Sequence, residues 1–221
     1  ASGTMLERTT TDRRTVTRFE HKDPVAPYLT TVAIGPYKKV SATGPHDLPL
    51  TFWVPKGRDD LLQPLLRTGE AIAWLEKRLG PYPFDRAGVV VTPGMSSVET
   101  QTLMTLSRDE YRYGNTDVRE QVAHHLVHAW YGGTVTPNDW RDNWMGESMA
   151  TYLQAQFAIS RGWDSATYWA REFERNDQYW RDLFGPPGAY DRREFGQLNV
   201  HYGGALILKR LRTKIGAAAF T

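Results

Sequence analysis

The apolar positions of this chain change period part-way along, from near-alternation to a helical repeat of about 3.6 residues. Residues 13–20 read as a strand, and residues 28–37 as another, with Leu29, Val32 and Ile34 supplying the alternation. Residues 50–54 form a short strand that stops before Pro55. From 61 to 79 the Leu, Ile and Ala positions recur at helical spacing, and the pattern closes at Gly80 ahead of the turn Pro81-Tyr82-Pro83. The run AGVVVT (87–92) predicts a buried strand, and residues 101–106 a further one. Beyond that point the pattern is helical: one helix after Asp117, a second from about Gly146 through Tyr152 and Phe157, a third over 164–182, and a last from Tyr202 to Ile215. Strands before helices is an α+β order.

Candidate chemistry sits in the first two of those helices, in EQVAHHLVHAWYGGTVTPNDWRDNWMGE (120–147). Asp117 and Glu120 read as an N-cap with its capping-box partner, and Val122, Ala123, Leu126, Val127 and Trp130 form an apolar stripe. His124 and His128 are four residues apart, so both imidazoles share one helix face and can reach one ion at about 2.0–2.1 Å. Gly132 and Gly133 end the helix, and Pro137 keeps it from resuming. Glu147, placed in the first turn of the next helix, is a third ligand of the right type. Two imidazoles and a carboxylate leave one position open, the pattern of a catalytic rather than a structural zinc. A histidine pair at this spacing also occurs on surfaces and in satisfied cores, so the flanking residues have to decide.

Composition narrows the alternatives. There are 27 Lys and Arg against 25 acidic residues, a net charge of +2, which gives no reason to expect a nucleic acid or other polyanion as partner. The absence of cysteine excludes disulfides, thiolate ligands and thiol nucleophiles. No apolar run approaches the ~20 residues of a membrane span. The first residues carry no signal-peptide pattern, so the expectation is a soluble protein whose compartment, cytoplasmic or secreted, stays open.

The chain resembles the gluzincin aminopeptidases, the family of aminopeptidase N. That family's zinc motif is H-E-x-x-H, eighteen residues, then Glu; here His124, His128 and, after residues 129–146, Glu147 stand in those places. The flanking HAWYGGTVTPNDWRDNWMGESMATY, the upstream SSVETQ (96–101) and the downstream HYGGALILKRLRTKIG are similar to family segments in the same order, as are YLTTVAIGPYKKV and LGPYPFDRAGVVV. The resemblance covers roughly residues 20–221. It implies a thermolysin-like catalytic fold, one zinc ion held by His124, His128 and Glu147, and removal of N-terminal residues from peptides. It further implies that Glu99 pairs with the substrate's free α-ammonium and that Tyr202 donates a hydrogen bond to the oxyanion. Residues 1–45 would close the family's N-terminal β domain and 46–221 would form the catalytic domain. The expectation is thus a catalytic-domain fragment, with apolar surfaces that favour self-association.

Four positions depart from the family pattern. Thr100 and Ser96 replace its Asn and Gly near Glu99, and Gly146 replaces the Asn before the third ligand. The larger departure is His125, where the family has the glutamate that acts as general base. A neutral imidazole can accept a proton but brings no negative charge, and general-base catalysis is worth about 10²–10⁴-fold. Three readings follow: an aminopeptidase with altered or reduced activity, a catalytically silent zinc-binding relative, or a zinc site repurposed for esters or other substrates.

Overall fold

The computed structural model describes residues 1–94, 96–191, 193 and 197–220. They form two compact units: Ala1–Ala73 with Tyr82–Arg119, and Trp74–Pro81 with Glu120–Thr221.

The first unit carries the strands. β1 (Thr4–Thr11) and β2 (Arg14–Glu20) pair antiparallel as a hairpin. β3 (Tyr37–Thr43), β4 (Pro49–Pro55), β5 (Ala87–Thr92) and β6 (Met104–Ser107) form a four-stranded sheet in that order, the first pair antiparallel and the other two parallel. β5 is flanked by parallel neighbours and its first five residues are buried, which is why it reads as an unbroken apolar run. β4 alternates, with Leu50, Phe52 and Val54 turned into the core.

Residues 28–37 are not a strand. Pro27–Leu29 is a single 3-10 turn, and the chain stays irregular until β3 begins at Tyr37. Val32 and Ile34 are 67% and 92% exposed, so their alternation has no apolar surface to meet. Hydrogen bonds along the stretch are scattered rather than a ladder: Ser2 N donates to Thr31 O, Thr31 N to Ser2 Oγ, Tyr37 N to Gly35 O and Lys56 N to Pro36 O. The expected 61–79 helix is broken into α1 (Leu62–Leu65) and α2 (Thr68–Leu79). At the break the Thr68 hydroxyl donates to Leu65 O (2.6 Å), a side-chain bond that replaces a rung of the helical ladder.

The second unit is helical. α3 (Asn115–Val127) enters it at Glu120; α4 (Asn143–Arg161), α5 (Ala166–Phe184), α6 (Asn199–Ile215) and α7 (Ala217–Phe220) follow. Three helices start earlier than the pattern predicted. α3 opens at Asn115, with Val118 N donating to Gly114 O, so Asp117 lies in its first turn rather than at its cap. α4 opens at Asn143, which moves Glu147 into the second turn, and α6 opens at Asn199. Among the described residues no helix is long and apolar enough to cross a membrane.

α6 packs on both α4 and α5. Against α4 the approach is close: Ser148 Oγ donates to Val200 O at 2.8 Å, and a Cβ on Gly204 would fall 1.7 Å from Ser148 Oγ. Against α5, a Cβ on Gly203 would fall 2.7 Å from Asp177 Oδ1. The two glycines let the α6 backbone lie directly against side chains of both neighbours.

Candidate metal centre

α3 delivers the histidines in its last turn. Its end is set by Gly132, whose φ of 130° is open only to glycine, and by Gly133 N donating to His128 O at 2.7 Å. His128 lies one residue past the helical span and keeps its place on the same face as His124. The turn also leaves the Tyr131 carbonyl 3.0 Å from His128 Nδ1. A carbonyl only accepts, so Nδ1 carries the hydrogen and Nε2 is a bare lone pair. His124 Nδ1 faces Gln154 Oε1, one helix over on α4, at 3.2 Å, which has the same effect.

Both Nε2 atoms therefore point lone pairs at one place. They are 3.3 Å apart, and Glu147 Oε2 is 3.5 Å from the first and 3.4 Å from the second. With both imidazoles neutral, three electron-pair donors at that separation repel one another unless a cation lies among them. Bonds of about 2.0–2.1 Å at tetrahedral angles put ligand atoms about 3.3–3.4 Å apart. The observed triangle matches that edge length, so this donor set fits zinc. Among the described residues His124, His128 and Glu147 lie close enough together that they could hold a metal ion.

The electrostatics agree. Burial pushes the His124 imidazole down to about 4, against the opposing pull of Glu147. Burial would raise the Glu147 carboxyl, but His128, His201 and His124 outweigh it and hold the group well below the usual carboxylate range. The site favours a neutral imidazole at His124 and an ionised carboxylate at Glu147, the protonation states that a metal requires of such groups.

His125 is buried beside this group, its ring perpendicular to that of His124 at 5.4 Å and tilted to that of His128 at 6.4 Å. Tyr202 packs towards α5: its ring meets Phe173 at 6.5 Å, and burial together with Glu172 raises its phenol. The α6 side chain that reaches the ligands is His201, whose Nδ1 lies 3.2 Å from Glu147 Oε2 and whose ring stacks on that of His124 at 5.6 Å. Sequence reading passed over His201. Its signal was Gly204, one turn further along the same face.

Glu99 belongs to the first unit. Its segment is held by Val98 pairing with Thr105, and by Thr100 Oγ1, which donates to Leu103 O at 2.5 Å. After burial itself, Glu99 is the cause that raises the Tyr28 phenol.

Comparison with known proteins follows the same lines. The peptidase family M1 domain matches residues 69–183. Aminopeptidase N of Streptomyces lividans is 28% identical over 159 residues, covering 63% of this chain and 18% of the relative. Human aminopeptidase O is 33% identical over 100 residues, covering 42% and 12%. An M1 zinc metallopeptidase from Deinococcus radiodurans superposes with a TM-score of 0.84 at 27% identity, covering 99% of this chain and 50% of that one. A substituted form of it, bound to a Tyr-Ser-Ala substrate, superposes at 0.81 and 28% identity. The chain thus spans half the length of the solved relatives and less than a fifth of these curated ones. The α+β fold is that of the solved relatives, and the family match runs unbroken across both histidines and Glu147: the chain belongs to peptidase family M1, the aminopeptidase N-like gluzincins.

Proposed function

We propose that this chain is the catalytic part of a zinc-dependent aminopeptidase that removes N-terminal residues from peptides, with an activity altered by His125. The observation that carries the reading is the 3.3–3.5 Å triangle of His124 Nε2, His128 Nε2 and Glu147 Oε2. Held there, zinc supplies Lewis acidity to a scissile carbonyl and to a water molecule. The chain's own groups do the rest. His125 takes the place of the general base, an imidazole where the family has a carboxylate. Glu99 is assigned to the substrate's α-ammonium and Tyr202 to the carbonyl oxygen, both on the family resemblance. On the same ground residues 1–45 close a preceding β domain and 46–221 form the catalytic domain.

A second reading, a silent zinc-binding relative that keeps a peptide cleft, is favoured by the one exchange at position 125. The two are separated by hydrolysis of alanyl and leucyl fluorogenic amides, parent beside His125→Glu, both zinc-loaded. The expected result is chelator-sensitive turnover by both, with the glutamate variant faster by about 10²–10⁴-fold. Turnover by the variant alone establishes the silent reading. Turnover by neither rules out the aminopeptidase assignment for this chain.

A further inference from the structure

The three proposed ligands each need an outer partner that fixes their orientation, because a ligand free to rotate loses affinity for its ion. Two are plain: Gln154 Oε1 for His124 and the Tyr131 carbonyl for His128. We propose that His201 is the third, a positioning residue that holds Glu147 and so completes the outer sphere of the metal centre. This rests on the zinc reading above.

A ligating carboxylate offers only lone pairs, so at 3.2 Å from Oε2 the His201 Nδ1 carries the hydrogen and donates it. Nδ1 also lies 3.5 Å from Thr151 Oγ1, one turn along α4 from Glu147. The ring stacks on His124 with an interplanar angle of 27°, so one side chain touches two ligands from different helices. Its own position is set by backbone. Val200 O accepts from Ser148 Oγ next to Glu147, and Gly204, on the same face of α6, lets the helices approach. The His201 side chain is 19% exposed, so water competes weakly for Nδ1. No atom of His201 closes up to all three donors as they do to one another, which places it outside the ligand set.

The test is zinc affinity, measured by competition with a chromophoric chelator, and the visible spectrum of the cobalt-substituted protein. His201→Ala removes the donor, and His201→Asn keeps an N–H near the position of Nδ1. Circular dichroism of each metal-free variant confirms the fold. The expected result is affinity about 10–100-fold weaker in His201→Ala, recovered to within about threefold in His201→Asn. The cobalt spectrum of His201→Asn should match the parent's. Parent-like affinity in His201→Ala overturns the inference, as does an Asn variant as weak as the Ala variant. A changed cobalt spectrum in His201→Asn overturns it in favour of direct ligation. A parent that binds no zinc removes the underlying metal reading, an outcome distinct from the other three.

Discussion

Substituting Gly204 by alanine tests whether the α4–α6 contact governs the site. The new Cβ would sit 1.7 Å from Ser148 Oγ, 2.5 Å from Ser148 Cβ and 3.0 Å from Trp144 Cε3. Ser148 is fully buried, so its hydroxyl cannot swing into water, and turning it aside breaks the bond to Val200 O. That leaves a buried carbonyl short of a partner, at about 1–3 kcal/mol. The alternative is to push the helices apart, and overpacking of that kind costs about 1–3 kcal/mol. By either route the loss is about 1–3 kcal/mol. At about 2–4 °C per kcal/mol for a chain of this size, the melting temperature should fall by about 2–12 °C. Zinc affinity should fall with it, since His201 and Glu147 flank the strained contact. Ser148→Gly makes room at the price of one hydrogen bond, so the double variant should melt above Gly204→Ala alone. Differential scanning calorimetry of parent, both single variants and the double decides it. A Gly204→Ala protein melting within about 2 °C of the parent refutes the packing argument, and so does a cost that Ser148→Gly leaves unchanged.

Other expectations are shorter to state. His124 is held at about 4 when folded against an ordinary 6.5, so the unfolded chain takes up its proton first. Stability of the metal-free protein should therefore fall as pH drops from 6.5 towards 4, by about 3 kcal/mol at most. The lowered Glu147 carboxyl acts in the same direction below its ordinary 4.5. A denaturant midpoint that does not move between pH 7 and 4.5 would contradict this. Gln154→Leu removes the acceptor for His124 Nδ1 and should weaken zinc binding about 10–100-fold; unchanged affinity in chelator competition would show that Gln154 orients nothing. Zinc at about 100 times its dissociation constant should stabilise the chain by about 2.7 kcal/mol, a rise of about 5–11 °C in melting temperature. Magnesium, which wants six oxygen ligands, should give no such rise, and an equal rise with both ions would rule against an N2O site.

What the sequence disclosed depended on whether a residue's job is local. The grouping of His124 with His128 was legible because helical spacing brings both to one face, and the turn that ends α3 is written in Gly132 and Gly133. β5 was legible because burial on both faces leaves an apolar run. β1 was not: Thr4–Thr11 pairs in a hairpin with mostly exposed, polar side chains, so nothing in its pattern sets it apart from a loop. Residues 28–37 misled for the opposite reason, showing alternation without a surface to bury it. The outer partners were hidden because each is non-local. Gln154 is an ordinary amide on α4 until α3 is packed beside it, and Tyr131 contributes a carbonyl that every residue possesses.

His201 and Tyr202 show the same limit within one helix. They are neighbours in sequence, but α6 lies between two helices, and a step of about 100° sends one side chain towards α4 and the next towards α5. Residue type favoured the tyrosine, which has the chemistry of an oxyanion donor. Helix geometry favours the histidine for contact with the ligands, because Gly204 follows it by three and marks the face where α4 comes close enough to exclude a Cβ. Tyr202 is followed by Leu206, and that face meets Phe173. A glycine pair inside an otherwise strong helix, Gly203 and Gly204, thus identifies which faces bring the α6 backbone against neighbouring side chains. On the α4 face of α6 the side chain one turn before Gly204 is an imidazole 3.2 Å from Glu147, so His201 stands beside the two histidines and one carboxylate proposed to hold the metal.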